Sequence, residues 1–224
     1  MSGSFSRIGG IAKALGILLM IFIPLQLLGV VGLVQLRDKA RGFLDGTVSE
    51  NDFTGATSTN LSSLSGLLVI PIAVLTIILM FRMAKNLRVL GRVGATWAPG
   101  WGIGGWFCPP CVIYAIPWLM FRELWKGSDP DVAPNDASWK HGSVSPLVNV
   151  WWVLYGLVPI IGFATSASFV TNLGEFDAAE VARRFDDYLL VNVALALVGT
   201  AAAVVYLVMI RRLAARHMAA TREA

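Results

Sequence analysis

Residues 81–125 read FRMAKNLRVLGRVGATWAPGWGIGGWFCPPCVIYAIPWLMFRELW. A basic stretch runs into an apolar one dense in Trp, Gly and Pro, and a second charged cluster closes it. Trp101 to Phe121 is long enough for one membrane crossing. Pro109, Pro110 and Pro117 nevertheless cannot all sit in one regular helix at low cost, because each removes a backbone donor and crowds the preceding turn. The aromatic residues at its margins suit a bilayer interface. The segment reads as a broken helix or as a re-entrant hairpin. Such backbone is tolerated at membrane depth only where protein or a wet cavity covers it.

On both sides of this stretch the chain is apolar. Of its 224 residues 56% are hydrophobic and only 14% are charged, where a soluble domain carries about a quarter. Apolar runs at 11–36, 61–81, 146–170 and 188–210 are each long enough to cross a core of about 30 Å. The first is too long for an ordinary signal-peptide core and is expected to be retained as a helix. Pro24 and Pro71 fall mid-span and predict kinks. Gln26 and Asn149 are the polar side chains inside spans that can bond across helices. The intervening 37–60 is polar and turn-rich, and reads as an aqueous loop. The FDAAEVARRFDDYLL run contains good helix formers, which predicts that the last helix begins before the bilayer does.

Charge decides the expected topology. Arg82, Lys85, Arg88 and Arg92 follow the second span with no acidic residue among them, and Arg211 and Arg212 follow the last. If 101–121 enters and leaves on one side, 13 of the 18 Lys and Arg lie on the side of both termini. The positive-inside rule prefers that arrangement to five crossings. The expected fold is therefore an all-α integral membrane protein, one polytopic domain over 1–224. It has four transmembrane helices, a re-entrant or interfacial segment at 101–121, and both termini in the cytoplasm. The formal net charge of +4 sits beside apolar spans and reads as orientation, and the basic clusters also suit anionic lipid headgroups. No nucleic-acid motif accompanies them.

The central stretch also resembles a bacterial membrane-protein family, domain of unknown function 4328. The matching pieces are FRMAKNLRVLG at Phe81 to Gly91, GWGIGGWFCPP at Gly100 to Pro110, and the run from Pro117 to FRELW at Trp125. Arg82 or Lys85 with Asn86 look like the arginine and asparagine that close a hydrophobic helix in that family. Where the family places an asparagine after the first proline, this chain has Cys111 and Val112. The resemblance implies a multi-helix protein of the bacterial cytoplasmic membrane and no particular activity.

Cys108-Pro109-Pro110-Cys111 is the one feature that invites a reaction, as a dithiol couple or half of a metal site. The strand-to-helix setting of a thioredoxin-like motif is missing. A zinc site would need more ligands than His141 and His217 supply. No metal or cofactor is implied. The spans carry no central Asp, Glu, Arg or His of the kind that marks ion paths. Trp101, Trp106, Phe107, Trp118 and Trp125 form instead a candidate docking surface for another membrane subunit, a second copy or lipid, since aromatic residues dominate interface hot spots. The expected role is non-enzymatic, an accessory or structural subunit of a larger membrane complex. Its alternatives are a small transporter, channel or lipid-binding protein, and a dithiol oxidoreductase using Cys108 and Cys111.

Overall fold

The computed structural model describes residues 4–58, 62–107, 115–157 and 177–223, with the side chains of 57, 58 and 62–64 excepted. The described residues are helical and contain no strand. Helix α1 is Gly9–Leu44, α2 Glu50–Ser58, α3 Ser62–Val89, α4 Trp101–Gly104 and α5 Ala115–Gly127. A 3-10 turn follows at Ala137–His141. Helix α6, Pro146–Trp152, continues as a π-helical turn over Val153–Leu157; α7 is Ala178–Asp187 and α8 Leu189–Thr221. By length and composition α1, α3 from Ser65 and α8 can each cross a membrane. Pro146–Leu157 is a shorter apolar helix, and the rest of the run expected to end at 170 lies outside the described residues. Helices α1 and α3 continue through Pro24 and Pro71.

Contacts at the two ends set the helix directions. Ser6, just before α1, exchanges two hydrogen bonds with Asn86 near the end of α3. The first turn of α1 has no side-chain cap of its own. The Glu223 carboxylate, beyond α8, accepts from the backbone N–H groups of Ile8 and Gly9 at 2.9–3.0 Å. An anion there satisfies orphan donors and favours the helix dipole. At the far end Arg37 and Arg41 of α1 both donate to Asp186 of α7 at 2.7 Å. Helices α3 and α8 thus run antiparallel to α1, with their basic ends beside its start.

The main core fills the half of the bundle near that basic end. Leu15 and Leu19 of α1, Met80 and Met83 of α3, Phe121 of α5, Trp151 of α6 and Met209 of α8 meet there. The outward faces of the long helices are apolar too. Ile21 is 47% exposed, Ile70 71% and Leu190 82%. A helix apolar all round needs lipid or protein on every side.

The polar region after the first long helix is more ordered than its turn-rich composition predicts. Helix α1 runs on through Arg37 to Leu44, and Ser49 caps α2 by accepting from Asp52 N–H at 3.2 Å. Phe53 is buried and stacks on Phe43 with ring centres 5.3 Å apart. Leu36, Ala40 and Ala182 complete this small second core. A Ser followed by acids in the first turn starts a helix as readily as a turn, and one aromatic side chain decides which. The last helix, expected to begin ahead of its span, is instead interrupted at Tyr188, so that 178–187 is a separate helix, α7, and Asp177 caps it at Glu180 N–H, 2.7 Å.

Candidate functional site

Helix α3 ends with Gly91 N–H donating to Arg88 and Arg92 N–H to Leu87, the bonding pattern of a Schellman cap. Arg92 then turns inward and is 3% exposed. Its guanidinium donates to the carbonyls of Gly127, Asp129, Val132 and Ala133 at 2.8–3.0 Å. Burial lowers its pKa, opposed by Asp129 and Asp136. Arg92 is therefore a clamp that fixes the exit of α5 beside the exit of α3. Between those two points, the described residues pack back onto α3 and α5. Gly102 lies against the backbone of Met80 and Phe81, where an added Cβ would stand 2.9 Å from Phe81 N. Trp106 reaches further in, and Gly105 sits against Ile116 as α5 begins. Pro117 falls in the first turn of α5, where a missing N–H costs little.

Trp106 forms part of a partly open cavity of about 310 Å³ lined by α1, α3, α6 with its π-helical turn, and α8. Its apolar wall includes Leu19, Phe22, Ile72 and Leu154. Trp151 stacks on Tyr155 and Tyr206 at 5.2 and 5.3 Å, and Phe121 meets Trp151 edge-on at 5.2 Å. The polar groups are few. Thr76 and Tyr206 share a buried hydrogen bond of 2.7 Å, and Gln26 enters from α1. The Trp106 indole N–H is buried without an acceptor among the described residues. Thr76 precedes Asn86 by ten residues, about 15 Å of helix, which is half of a ~30 Å hydrocarbon core. A concave, mostly apolar space with a few fixed polar groups suits a small hydrophobic ligand.

A second polar constellation closes the basic end. The Ser6 backbone fixes the Asn86 amide, since Oδ1 accepts from Ser6 N–H at 2.8 Å and Nδ2 donates to Ser6 O at 2.9 Å. Nδ2 must then also donate to His217 Nε2, 3.0 Å away, so His217 carries its proton on Nδ1 and donates to Ser128 Oγ at 2.7 Å. Asn86, Ser128 and His217 are each fully buried. This node ties the segment before α1, the end of α3, the loop after α5 and the end of α8 together.

The residues singled out in the sequence are dispersed. Gln26 and Trp106 meet at the cavity. Trp118 donates to Asn149 Oδ1 at 3.0 Å and stacks on Trp152, so that pair joins α5 to α6. Trp125 is half-buried under Arg216, whereas Trp101 is 41% and Phe107 75% exposed. Lys85, Arg88, Arg211 and Arg212 are exposed. Arg82 donates to the Arg7 carbonyl at 2.8 Å and Arg211 lies 3.0 Å from Met20 Sδ. Cys108 and Cys111 lie outside the described residues. Among the described residues no cluster of three His, Cys, Asp or Glu could hold a metal. Sequence reasoning passed over Thr76, Tyr206 and the Ser128–His217 pair. A hydroxyl at the depth of an apolar run was the available signal for the first two.

A family model described as Domain of unknown function (DUF4328) matches residues 45–215, well over half of the chain. No curated protein and no solved structure matches it.

Proposed function

We propose, from the premise that the chain belongs to the DUF4328 family, that it is a multi-pass membrane protein that binds a lipid-like ligand at membrane depth. The cavity carries this reading. About 310 Å³ of apolar space is bounded by Trp106, Trp151 and Tyr206, with the Thr76–Tyr206 hydroxyl pair and Gln26 as its polar fixtures. That chemistry fits an acyl or polycyclic apolar body bearing one hydrogen-bonding group. In the proposed topology four helices cross, 101–121 is re-entrant, and both termini face the cytoplasm of a bacterial cell. The Arg92–Gly127 bond supports it, because it brings the two ends of the central segment together at the end rich in exposed Lys and Arg.

Lipid and small-molecule extraction from the purified protein tests this. A stoichiometric apolar molecule is expected from the wild-type chain. It should be lost from Ala203→Leu, which fills the cavity wall. Equal retention by the filled variant would sink the cavity as the site. The second reading, an accessory subunit, is favoured by the exposed Trp101, Ile103 and Phe107 on one short segment. It requires a stoichiometric partner chain after purification in native lipid discs.

A further inference from the structure

A separate cleft of about 360 Å³ opens near the basic end, between residues 94–97, α5 and the 3-10 turn. Arg122, Lys126 and Lys140 line it, against the single carboxylate of Glu123. That carboxylate is already engaged, accepting from Thr96 N–H at 2.7 Å and Trp97 N–H at 3.0 Å. Lys126 spends one donor on the Lys140 carbonyl at 2.9 Å. Arg122 rests over the Trp118 ring at 4.9 Å, and the Lys140 ammonium lies 6.0 Å from the Trp139 ring. Neither cation has a hydrogen-bonding or ion-pair acceptor among the described residues.

The backbone makes room for this charge. Gly94 has φ +75°, and an added Cβ would stand 2.3 Å from Lys140 Nζ. A side chain at 94 would thus be strained and would displace the ammonium. Trp97, Trp118 and Trp139 surround the cations, the combination of aromatic rings and basic side chains found at a headgroup layer. Three donors converge on a concave space whose own acid is occupied, an arrangement that fits a phosphate group through charge-assisted hydrogen bonds.

We propose that this cleft binds the phosphate of an anionic phospholipid headgroup, with Arg122, Lys126 and Lys140 as its donors. The site is distinct from the cavity, and either can fail alone. Phosphatidylglycerol binding to the full chain in neutral detergent, read by native mass spectrometry, tests it. The double variant R122Q/K140Q is expected to weaken binding at least about tenfold, as loss of charged hydrogen bonds implies. The variant K39Q/R183Q, two exposed residues at the opposite end with the same change in net charge, should stay within about threefold. Gly94→Ala, which leaves the charge intact, should also weaken binding if the folded state is retained by melting. Equal loss in the two double variants would make the attraction diffuse and overturn the site. So would unchanged binding in R122Q/K140Q. Displacement of the lipid by an equal concentration of inorganic phosphate would overturn the lipid as its source.

Discussion

Asn86 shows how one buried amide can set the state of a second residue. Its orientation is dictated by the Ser6 backbone, and that orientation leaves His217 Nε2 only the acceptor role. A charged imidazolium would set donor against donor in a fully buried place, so the node requires neutral His217. Removing either member leaves one buried polar group of the other, an Asn86 Nδ2–H or His217 Nε2, without its partner. We expect Asn86→Ala and His217→Ala each to destabilise the protein by about 2 kcal/mol, the cost of a buried unpaired polar group. The double variant should lose clearly less than the sum, since each single change already breaks the shared bond. Melting of the four proteins in one detergent checks this, and strict additivity would mean the bond contributes nothing. Asn86 could be picked out through the family resemblance, as the asparagine that closes a hydrophobic helix. Its partner could not, because His217 follows 131 residues later in a run that reads only as a basic tail.

At the scale of elements, α2 and α7 dock on the projecting end of α1 through a small apolar core and one carboxylate. Asp186 accepts from Arg41 and Arg37, and those hydrogen bonds hold its pKa below the ordinary 3.8. A carboxylate with a depressed folded pKa stabilises above its unfolded value, and that contribution is lost as pH falls through the folded value. The docking should therefore be indifferent to pH from neutrality down to about 4 and weaken below it. The effect should be small and reduced by salt, because the groups are partly exposed. Hydrogen exchange in 178–187 as a function of pH reads this directly. Asp186→Asn should show the acid-side exchange already at neutral pH, and an unchanged profile in that variant would assign the docking to Phe53 and its neighbours alone. The helical nature of 178–187 was legible from its composition, whereas α2 was not. Nine residues with one buried aromatic carry too weak a period, and tertiary contact with Phe43 supplies the rest.

For the whole molecule, the long helices were legible because a bilayer imposes one requirement, an unbroken apolar run, that needs no partner to recognise. The return of the central segment to one side is an expectation from charge counting, and the Arg92–Gly127 bond supports it. The cavity was not legible. It depends on Thr76, Trp106, Trp151 and Tyr206 arriving from four segments at one depth, and no local pattern encodes that coincidence. The proposed topology, which the Arg92–Gly127 contact supports, makes a sharp demand. In a variant with Cys108 and Cys111 replaced by serine, single cysteines at Arg88, Ser138 and Ala219 should react with an impermeant thiol reagent from one side of sealed vesicles. Cysteines at Asn51 and Arg183 should react only from the other side. The deciding position is 138, since a full crossing by 101–121 would put it opposite 88 and with 51. That outcome would require the Arg92 clamp to be broken in the membrane, so loss of folding in Arg92→Ala separates the two cases. With the clamp intact, Gly127 is held beside the end of α3, on the side of Arg88, and Trp106 stays at the cavity wall.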